Sequence, residues 1–200
     1  FLVPALLLVV TIHEFSHAWL ADRLGDPTPR QAGRVTLNPL AHLDFFGTIF
    51  LIFFRFGWGK PVPINPRFFR HPLKESALVA LAGPFSNFIF ALLIGGALAF
   101  FRDELPSLLF QFLMLVFDLN LVLCIFNLLP LPPLDGSKVL GLFIPKKYHD
   151  HYEHFLETGN IYTILFLLFD FMVLSNIFGE GIISRLLFFI FVPLKSAIFL

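Results

Sequence analysis

The feature that most constrains this chain is the motif His-Glu-Phe-Ser-His at residues 13–17, which follows an uncharged apolar run over residues 1–12. On a helix His13 and His17 are one turn apart, so both imidazoles project from the same face. Two nitrogen ligands at this spacing suit tetrahedral Zn²⁺, and Glu14 can reach a water molecule beside that metal. Polar groups at membrane depth are costly, roughly 2.5–3.5 kcal/mol for an Asp-like charge at a helix centre. The motif therefore predicts a functional site rather than two structural histidines.

The composition places the chain in the membrane class. Hydrophobic residues make up 57% of the 200 residues, with 29 Phe and a mean hydropathy of +0.82, and several apolar runs reach transmembrane length. The net charge is zero, which gives no reason to expect a nucleic-acid partner. The single cysteine, Cys124, cannot form an internal disulfide. Since the chain begins inside an apolar run without Met, we expect the first helix to have started before Phe1.

The predicted fold is an all-α polytopic membrane protein with one domain over residues 1–200. Residues 1–145 are expected to form the catalytic core, and residues 146–200 a C-terminal loop and two helices. About five transmembrane helices are predicted, over residues 1–24, 76–101, 107–129, 161–178 and 182–200, with a polar connection at 138–160. Between the first two helices we predict a re-entrant, β-like segment. Residues 33–39 alternate as a short strand does, and residues 45–54 are too few to cross a bilayer as a helix.

Basic residues in the short loops predict how the chain crosses the membrane. Residues 25–75 hold seven Lys and Arg, residues 136–160 hold three, and the turn at 102–106 holds only Arg102. By the positive-inside rule both basic loops are cytoplasmic, which requires residues 45–54 to dip into the membrane and return. The first and third helices would then run in the same direction, and Asp135 could meet the two motif histidines.

A catalytic zinc site usually has three protein ligands and one open position, so a third ligand is needed. Asp135 is the best candidate, because three prolines end the preceding helix and Gly136 lets the backbone turn after it. An Asp-Gly turn that merely ends a helix in the headgroup region is an equally good interpretation of this segment taken alone.

Three motifs together resemble the site-2 protease family of intramembrane zinc metalloproteases. They are His-Glu-Phe-Ser-His at 13–17, Ala-Gly-Pro-Phe-Ser-Asn at 82–87, and Asn-Leu-Leu-Pro-Leu-Pro-Pro-Leu-Asp-Gly at 127–136. The resemblance covers most of residues 1–145 and is closest to the compact bacterial branch, since no PDZ or CBS insertion is visible. It implies one Zn²⁺ per chain and a catalytic base, with two asparagines that support the substrate or transition state. By matching position these residues are the ligands His13, His17 and Asp135, the base Glu14, and the asparagines Asn127 and Asn87.

This resemblance implies cleavage of the transmembrane segments of other membrane proteins, near the cytoplasmic side, as in regulated intramembrane proteolysis. The expected setting is a bacterial inner membrane, and the expected partners are a membrane-protein substrate and the lipid bilayer. Residues 33–39 could bind an unwound substrate by strand pairing. The alternative is a membrane zinc transporter or a non-proteolytic metal-binding membrane protein. A prenyl-protein protease with the same zinc motif is closer in chemistry but lacks the 127–136 motif.

Several polar residues lie outside these motifs. Asp118 and Asp170 fall near mid-span, where we favour structural hydrogen bonding over catalysis. Asn120 and Asn127 are seven residues apart on one helix face and could line the same cavity. The histidines at 149, 151 and 154 are interpreted as part of a solvated loop, with a second metal site as the less favoured reading.

Overall fold

The structure is a computed structural model, and it describes residues 1–47, 49 and 59–199 of the chain. Within these residues, eight α-helices have defined bounds and follow one another along the chain. They are α1 (Leu2–Arg23), α2 (Thr28–Gln31), α3 (Pro72–Phe100), α4 (Ser107–Asn127), α5 (Asp135–Leu140), α6 (His149–Phe169), α7 (Ser175–Phe178) and α8 (Ile182–Phe199). A π-helical turn at Asp170–Leu174 joins α6 and α7 into one continuous rod.

Among the described residues, four helices are long and apolar enough to cross a membrane. They are Leu2–Arg23, Pro72–Phe100, Ser107–Asn127 and His149–Phe178. The predicted all-helical membrane architecture is thereby confirmed for the first three spans. α8 is helical as predicted but is not one of the four, so the count of five spans stays a prediction.

The polar connection predicted for residues 138–160 is wrong, because α6 already begins at His149. The reason is an amphipathic pattern in its first turns. Tyr152, Gly159 and Thr163 are buried along one side, while most of the polar residues between them are exposed. The Tyr152 hydroxyl donates to the Ser137 carbonyl at 2.8 Å, and Gly159 packs against Pro132. These contacts stabilise helix in a segment whose polarity alone suggests a loop.

Helices α1, α3 and α4 form the centre of the molecule. Their shared core is apolar and is built from Ala5, Val9, Ala91, Ile94, Leu98, Val116, Phe117 and Leu121. α1 and α4 run in the same direction, since the Phe1 ring lies 5.9 Å from that of Phe112 while His17 lies near Asp135, beyond the other end of α4. α3 runs the opposite way between them, with Val79 beside His17. The parallel course of the first and third spans is therefore as the loop charges predict.

The connection between α1 and α3 leaves and returns at the same end of this bundle, because His17 and Val79 are hydrogen-bonded there. A re-entrant path between them requires such an arrangement. Residues 48 and 50–58, which make up most of the predicted dip, lie outside the described residues, so the dip itself stays a prediction.

The strand predicted at residues 33–39 is not formed, and within the described residues the only β-type pairing is an isolated bridge between Leu43 and Gly59. Gly33 turns the backbone with a positive φ of 66°. The Asn38 side chain accepts from the Leu40 amide and caps the 3₁₀ helix Pro39–His42, and the Thr36 carbonyl accepts from His42. Local side-chain bonds of this kind compete with strand pairing. Because no strand forms at residues 33–39, the prediction that a substrate pairs with an edge strand there has no structural support.

Two polar contacts position the C-terminal helices: one joins α8 to the bundle, and the other joins α8 to the turn between α6 and α7. Lys195 of α8 donates to Asp118 of α4 at 2.6 Å. Asp170 accepts from the Ile182 and Ile183 amides at 2.6 and 3.2 Å, so it caps the start of α8. The structural role predicted for Asp118 and Asp170 is confirmed by these bonds.

Candidate metal centre and active site

Three side chains from two distant parts of the sequence meet at one point of the bundle. The Nε2 atoms of His13 and His17 are 3.0 Å apart, and each lies 3.2 Å from Oδ2 of Asp135. All three residues are buried, and among the described residues they are the one group of His, Cys, Asp and Glu side chains placed to share a metal ion. The sequence-based prediction that Asp135 meets the motif histidines agrees with this geometry.

Both imidazoles are oriented by a hydrogen bond on the ring nitrogen that faces away from this point. His17 Nδ1 is 2.7 Å from the carbonyl oxygen of Val79. Because a carbonyl can only accept, Nδ1 of His17 carries the proton and Nε2 keeps its lone pair. His13 Nδ1 is 2.6 Å from Oδ1 of Asn87, which has the same effect. In its neutral form, each ring with this Nδ1 proton presents the lone pair of Nε2 towards Asp135.

Asn87 is fully buried and uses both ends of its amide within the protein. Its oxygen accepts from His13, and its nitrogen donates to the Val9 carbonyl at 3.3 Å and to Oδ1 of Asn120 at 2.8 Å. Asn120, also fully buried, donates in turn to the Val116 carbonyl at 2.8 Å. Asn120 lies outside the three motifs. In the sequence it is marked as a candidate only by its polar side chain within an apolar helix.

The segment after α4 carries Asp135 into the bundle. Tight turns, with Leu131 N donating to Leu129 O and Leu134 N to Leu131 O, lead to α5, which begins at Asp135. Gly136 packs directly on the preceding backbone, since a Cβ there would lie 2.2 Å from the Leu128 carbonyl oxygen. A side chain at position 136 would thus push Asp135 out of place, which explains why glycine follows the aspartate.

Gly83 of α3 forms the wall behind the two histidines. A Cβ at this position would lie 2.3 Å from His17 Nε2 and 2.7 Å from His13 Cε1. Glycine therefore lets α3 approach the imidazoles closely. This role of Gly83 is apparent only from the three-dimensional structure.

Glu14 is half-buried on α1, next to the histidine pair, and its carboxylate attracts the guanidinium of Arg34. Arg34 is itself buried and donates to the carbonyls of Ala41, at 2.6 Å, and Lys60. Burial lowers the pKa of the Arg34 guanidinium below its usual value, and the Glu14 carboxylate opposes that shift. A buried cation near Glu14 is a feature that the sequence analysis missed.

The remaining candidates make hydrogen bonds to other parts of the chain than this group. The Asn127 amide nitrogen donates to the Leu123 carbonyl of its own helix at 3.0 Å. Asn120 and Asn127 therefore form hydrogen bonds with different partners. The three histidines near residue 150 lie at the start of α6, not in a loop, and His149 donates to the Ile144 carbonyl at 3.1 Å.

The donor set fits zinc. Two imidazole nitrogens and a carboxylate oxygen are typical zinc ligands, and three protein ligands leave one tetrahedral position free. Three unprotonated acceptors that converge within 3.2 Å also repel one another unless a positive charge lies among them. The hydrogen bonds on both Nδ1 atoms supply the outer support that metal-bound histidines usually have.

Comparison with known proteins places the chain in a family. Residues 1–104 and 94–169 match peptidase family M50. A Bacillus subtilis protein named "Putative zinc metalloprotease YwhC" is 45% identical over 153 residues, which cover 72% of this chain and 69% of that protein. "Putative zinc metalloprotease Rip2" of Mycolicibacterium smegmatis is 31% identical over 140 residues, 67% of this chain and 53% of Rip2. No solved structure matches the chain.

The family match and the named relatives agree with the motifs and with the converging His, His and Asp side chains. They also agree with the four apolar helices. The chain belongs to peptidase family M50, the family of the site-2 proteases, and is an integral membrane zinc metalloprotease.

Proposed function

We propose that the chain hydrolyses peptide bonds within the membrane, with zinc held by His13, His17 and Asp135 and with Glu14 as the general base. The observation that carries this proposal is the convergence of the three ligand atoms beside Glu14, within a bundle of membrane-length helices. Such a site can act on a peptide only if the peptide enters the bundle. Substrates are therefore expected to be membrane-spanning segments of other proteins, as in regulated intramembrane proteolysis.

Zinc at this site supplies Lewis-acid chemistry, which makes water a good nucleophile near neutral pH and polarises a peptide carbonyl. The protein's own part is proton transfer and orientation. Glu14 takes the proton from the attacking water and returns it to the leaving nitrogen. Its half-buried position leaves it open to a bound peptide while limiting the access of bulk water.

Asn127 remains the candidate for supporting the transition state. Its amide nitrogen has two hydrogens, and one is used by the Leu123 carbonyl. The second can donate to the oxygen on which negative charge develops. We assign Asn87 a different role, because its oxygen and nitrogen already serve His13, Val9 and Asn120.

Cleavage is proposed near the cytoplasmic side of a bacterial inner membrane. His13 and His17 lie in the second half of α1, towards the end that joins the basic connection of residues 24–71. Asp135 lies next to the second basic segment. Both observations support chemistry near the face of the membrane where Lys and Arg concentrate.

A cleavage assay with mapped products tests the reaction. The protein is reconstituted in liposomes with a panel of single-span substrates, and the new termini are determined by mass spectrometry. We expect cuts inside the apolar segment that disappear after zinc is stripped with a chelator and return when zinc is added. Zinc-dependent cuts confined to the polar flanks would contradict intramembrane cleavage, and the absence of any zinc-dependent cut would contradict the proposed reaction.

Cysteine labelling tests the sidedness. Arg67 and Glu104 are both exposed, at opposite ends of α3. In a Cys124→Ser background, Arg67→Cys should resist an impermeant thiol reagent added outside intact cells, whereas Glu104→Cys should react. Labelling of Arg67→Cys from outside would place the site at the other face of the membrane.

A further inference from the structure

A continuous chain of hydrogen bonds links the backbone of α4 to the histidine motif on α1. It runs from the Val116 carbonyl to Asn120, then to Asn87 on α3, and ends at His13. The three side-chain bonds measure 2.8, 2.8 and 2.6 Å. Both asparagines are fully buried, so no solvent is available to satisfy their amides.

The direction of every bond in this chain is fixed by backbone carbonyls, which can only accept. The Val116 carbonyl requires the Asn120 amide nitrogen to face it, which turns the Asn120 oxygen towards Asn87. The Val9 carbonyl and the Asn120 oxygen together take both N–H groups of Asn87. Only the Asn87 oxygen is left to face His13, so His13 Nδ1 must be the protonated ring nitrogen.

The alternative orientation of the Asn87 amide shows why its observed orientation matters for zinc binding. If the amide rotated by half a turn, its N–H groups would face His13, and Nδ1 would have to accept. The proton would then move to Nε2, the nitrogen that points to Asp135 and His17. A protonated Nε2 cannot ligate a metal. In the observed position of Asn120, that rotation would also set two oxygens against each other.

We propose that Asn120 is a positioning residue for the metal site, acting through Asn87 to keep His13 in the tautomer that binds zinc. The proposal rests on the ligand set given above. His17 has no need of such a relay, because the Val79 carbonyl fixes its tautomer directly. The two histidines of one motif are thus oriented by different means, one by the backbone and the other by two buried side chains.

Zinc affinity of the purified chain, measured by competition with a chelator, tests the proposal without relying on turnover. Asn87→Leu should weaken Zn²⁺ binding by roughly 10–100-fold, the usual effect of losing an outer-shell partner. Asn120→Leu should weaken it by a smaller factor. In the Asn87→Leu background, Asn120→Leu should add nothing, because it acts only through Asn87. An undiminished second loss in the double variant, or parent affinity in Asn120→Leu, would overturn the proposal.

Conservative variants separate positioning from packing. Asn120→Asp keeps an oxygen that can accept from Asn87, so it should bind zinc more tightly than Asn120→Leu. Asn87→Asp likewise keeps the acceptor for His13 and should exceed Asn87→Leu. Equal losses in the Asp and Leu variants would show a purely structural role. Asn176→Leu is the matched control, since the Asn176 amide is exposed and, among the described residues, bonds only to the Met172 carbonyl of its own helical rod.

His13→Ala distinguishes this proposal from the ligand set beneath it. Parent-like zinc affinity in His13→Ala would remove His13 from the metal and end both proposals. A large loss in His13→Ala with none in Asn120→Leu would overturn the positioning role alone. If Asn120→Leu does not fold, the comparison of Asn87→Leu with Asn87→Asp still decides whether the acceptor for His13 controls zinc binding.

Discussion

The bundle of α1, α3 and α4 and the C-terminal helices α6 to α8 use polar residues in different ways. In the most apolar stretch of Pro72–Phe100, 44% of the residues are buried. In the most apolar stretch of His149–Phe178, 11% are buried. In the bundle, Asn87 and Asn120 are fully enclosed and lead to a candidate zinc ligand. The contact between this bundle and the C-terminal part is different, since the charges of Asp118 on α4 and Lys195 on α8 stay about one-third exposed and only join helices.

This difference indicates in which region a substitution should affect zinc binding and catalysis. A change in the bundle alters the shape or the protonation of the site, because the buried asparagines beside the histidines are held by specific hydrogen bonds. A change among the C-terminal contacts alters how helices dock, while the metal ligands keep their supports. The two regions should therefore respond differently to equivalent substitutions.

The largest contrast is expected between two identical changes of aspartate. Asp135→Asn replaces an anionic ligand with a neutral one and should lower zinc affinity by more than the roughly 10–100-fold seen for outer-shell changes. Asp118→Asn makes the same change in a contact with α8 and should keep the zinc. Zinc per chain after dialysis is the measurement. Equal zinc in Asp135→Asn and the parent would remove Asp135 from the site.

A second contrast compares two glycines of α3. Gly83→Ala should displace the imidazoles, since its Cβ would lie 2.3 Å from His17 Nε2. Overpacking of this kind costs about 1–3 kcal/mol, and zinc binding should fall as well. Gly96→Ala is the control, because a Cβ at Gly96 meets nothing within 4 Å. Thermal unfolding and zinc content are measured for both variants. Full zinc occupancy in Gly83→Ala would contradict the close approach of α3 to the imidazoles.

The smallest effect is expected from Lys195→Met, which breaks the ion pair with Asp118. The pair is partly exposed, so we expect a loss of stability on the order of 1 kcal/mol and no change in zinc affinity. Thermal unfolding with and without zinc measures both. Adding Asp118→Asn should recover part of the stability by removing the unpaired charge. A marked loss of zinc in Lys195→Met would show that the C-terminal helices support the site after all.

The sequence predicts the site best where a motif lies within a predicted membrane span. His13 and His17 share a helix face by spacing alone, and the loop charges correctly predict that α1 and α4 run in parallel, which brings Asp135 to them. Asn87 was interpreted through family resemblance as a substrate-supporting residue. Its bond to His13 joins residues 74 positions apart, and no local pattern reveals such a contact.

The errors came from segments where local chemistry and tertiary contacts disagree with simple patterns. Alternation at residues 33–39 suggests a strand, but the Asn38 cap and the His42 bond to Thr36 favour turns. Polarity at 149–160 suggests a loop, but Tyr152 and Gly159 pack against Ser137 and Pro132. Neither partner is visible from the segment's own sequence, because both lie elsewhere in the chain.

The most direct test of the central claim is a paired measurement on Glu14→Gln and the parent. Zinc per chain and cleavage of one reconstituted membrane substrate are determined for both proteins. If Glu14 is the general base and not a ligand, the zinc content should stay near that of the parent, while cleavage falls by at least roughly 10²–10⁴-fold. Undiminished cleavage by Glu14→Gln would contradict the assigned mechanism, whatever its zinc content.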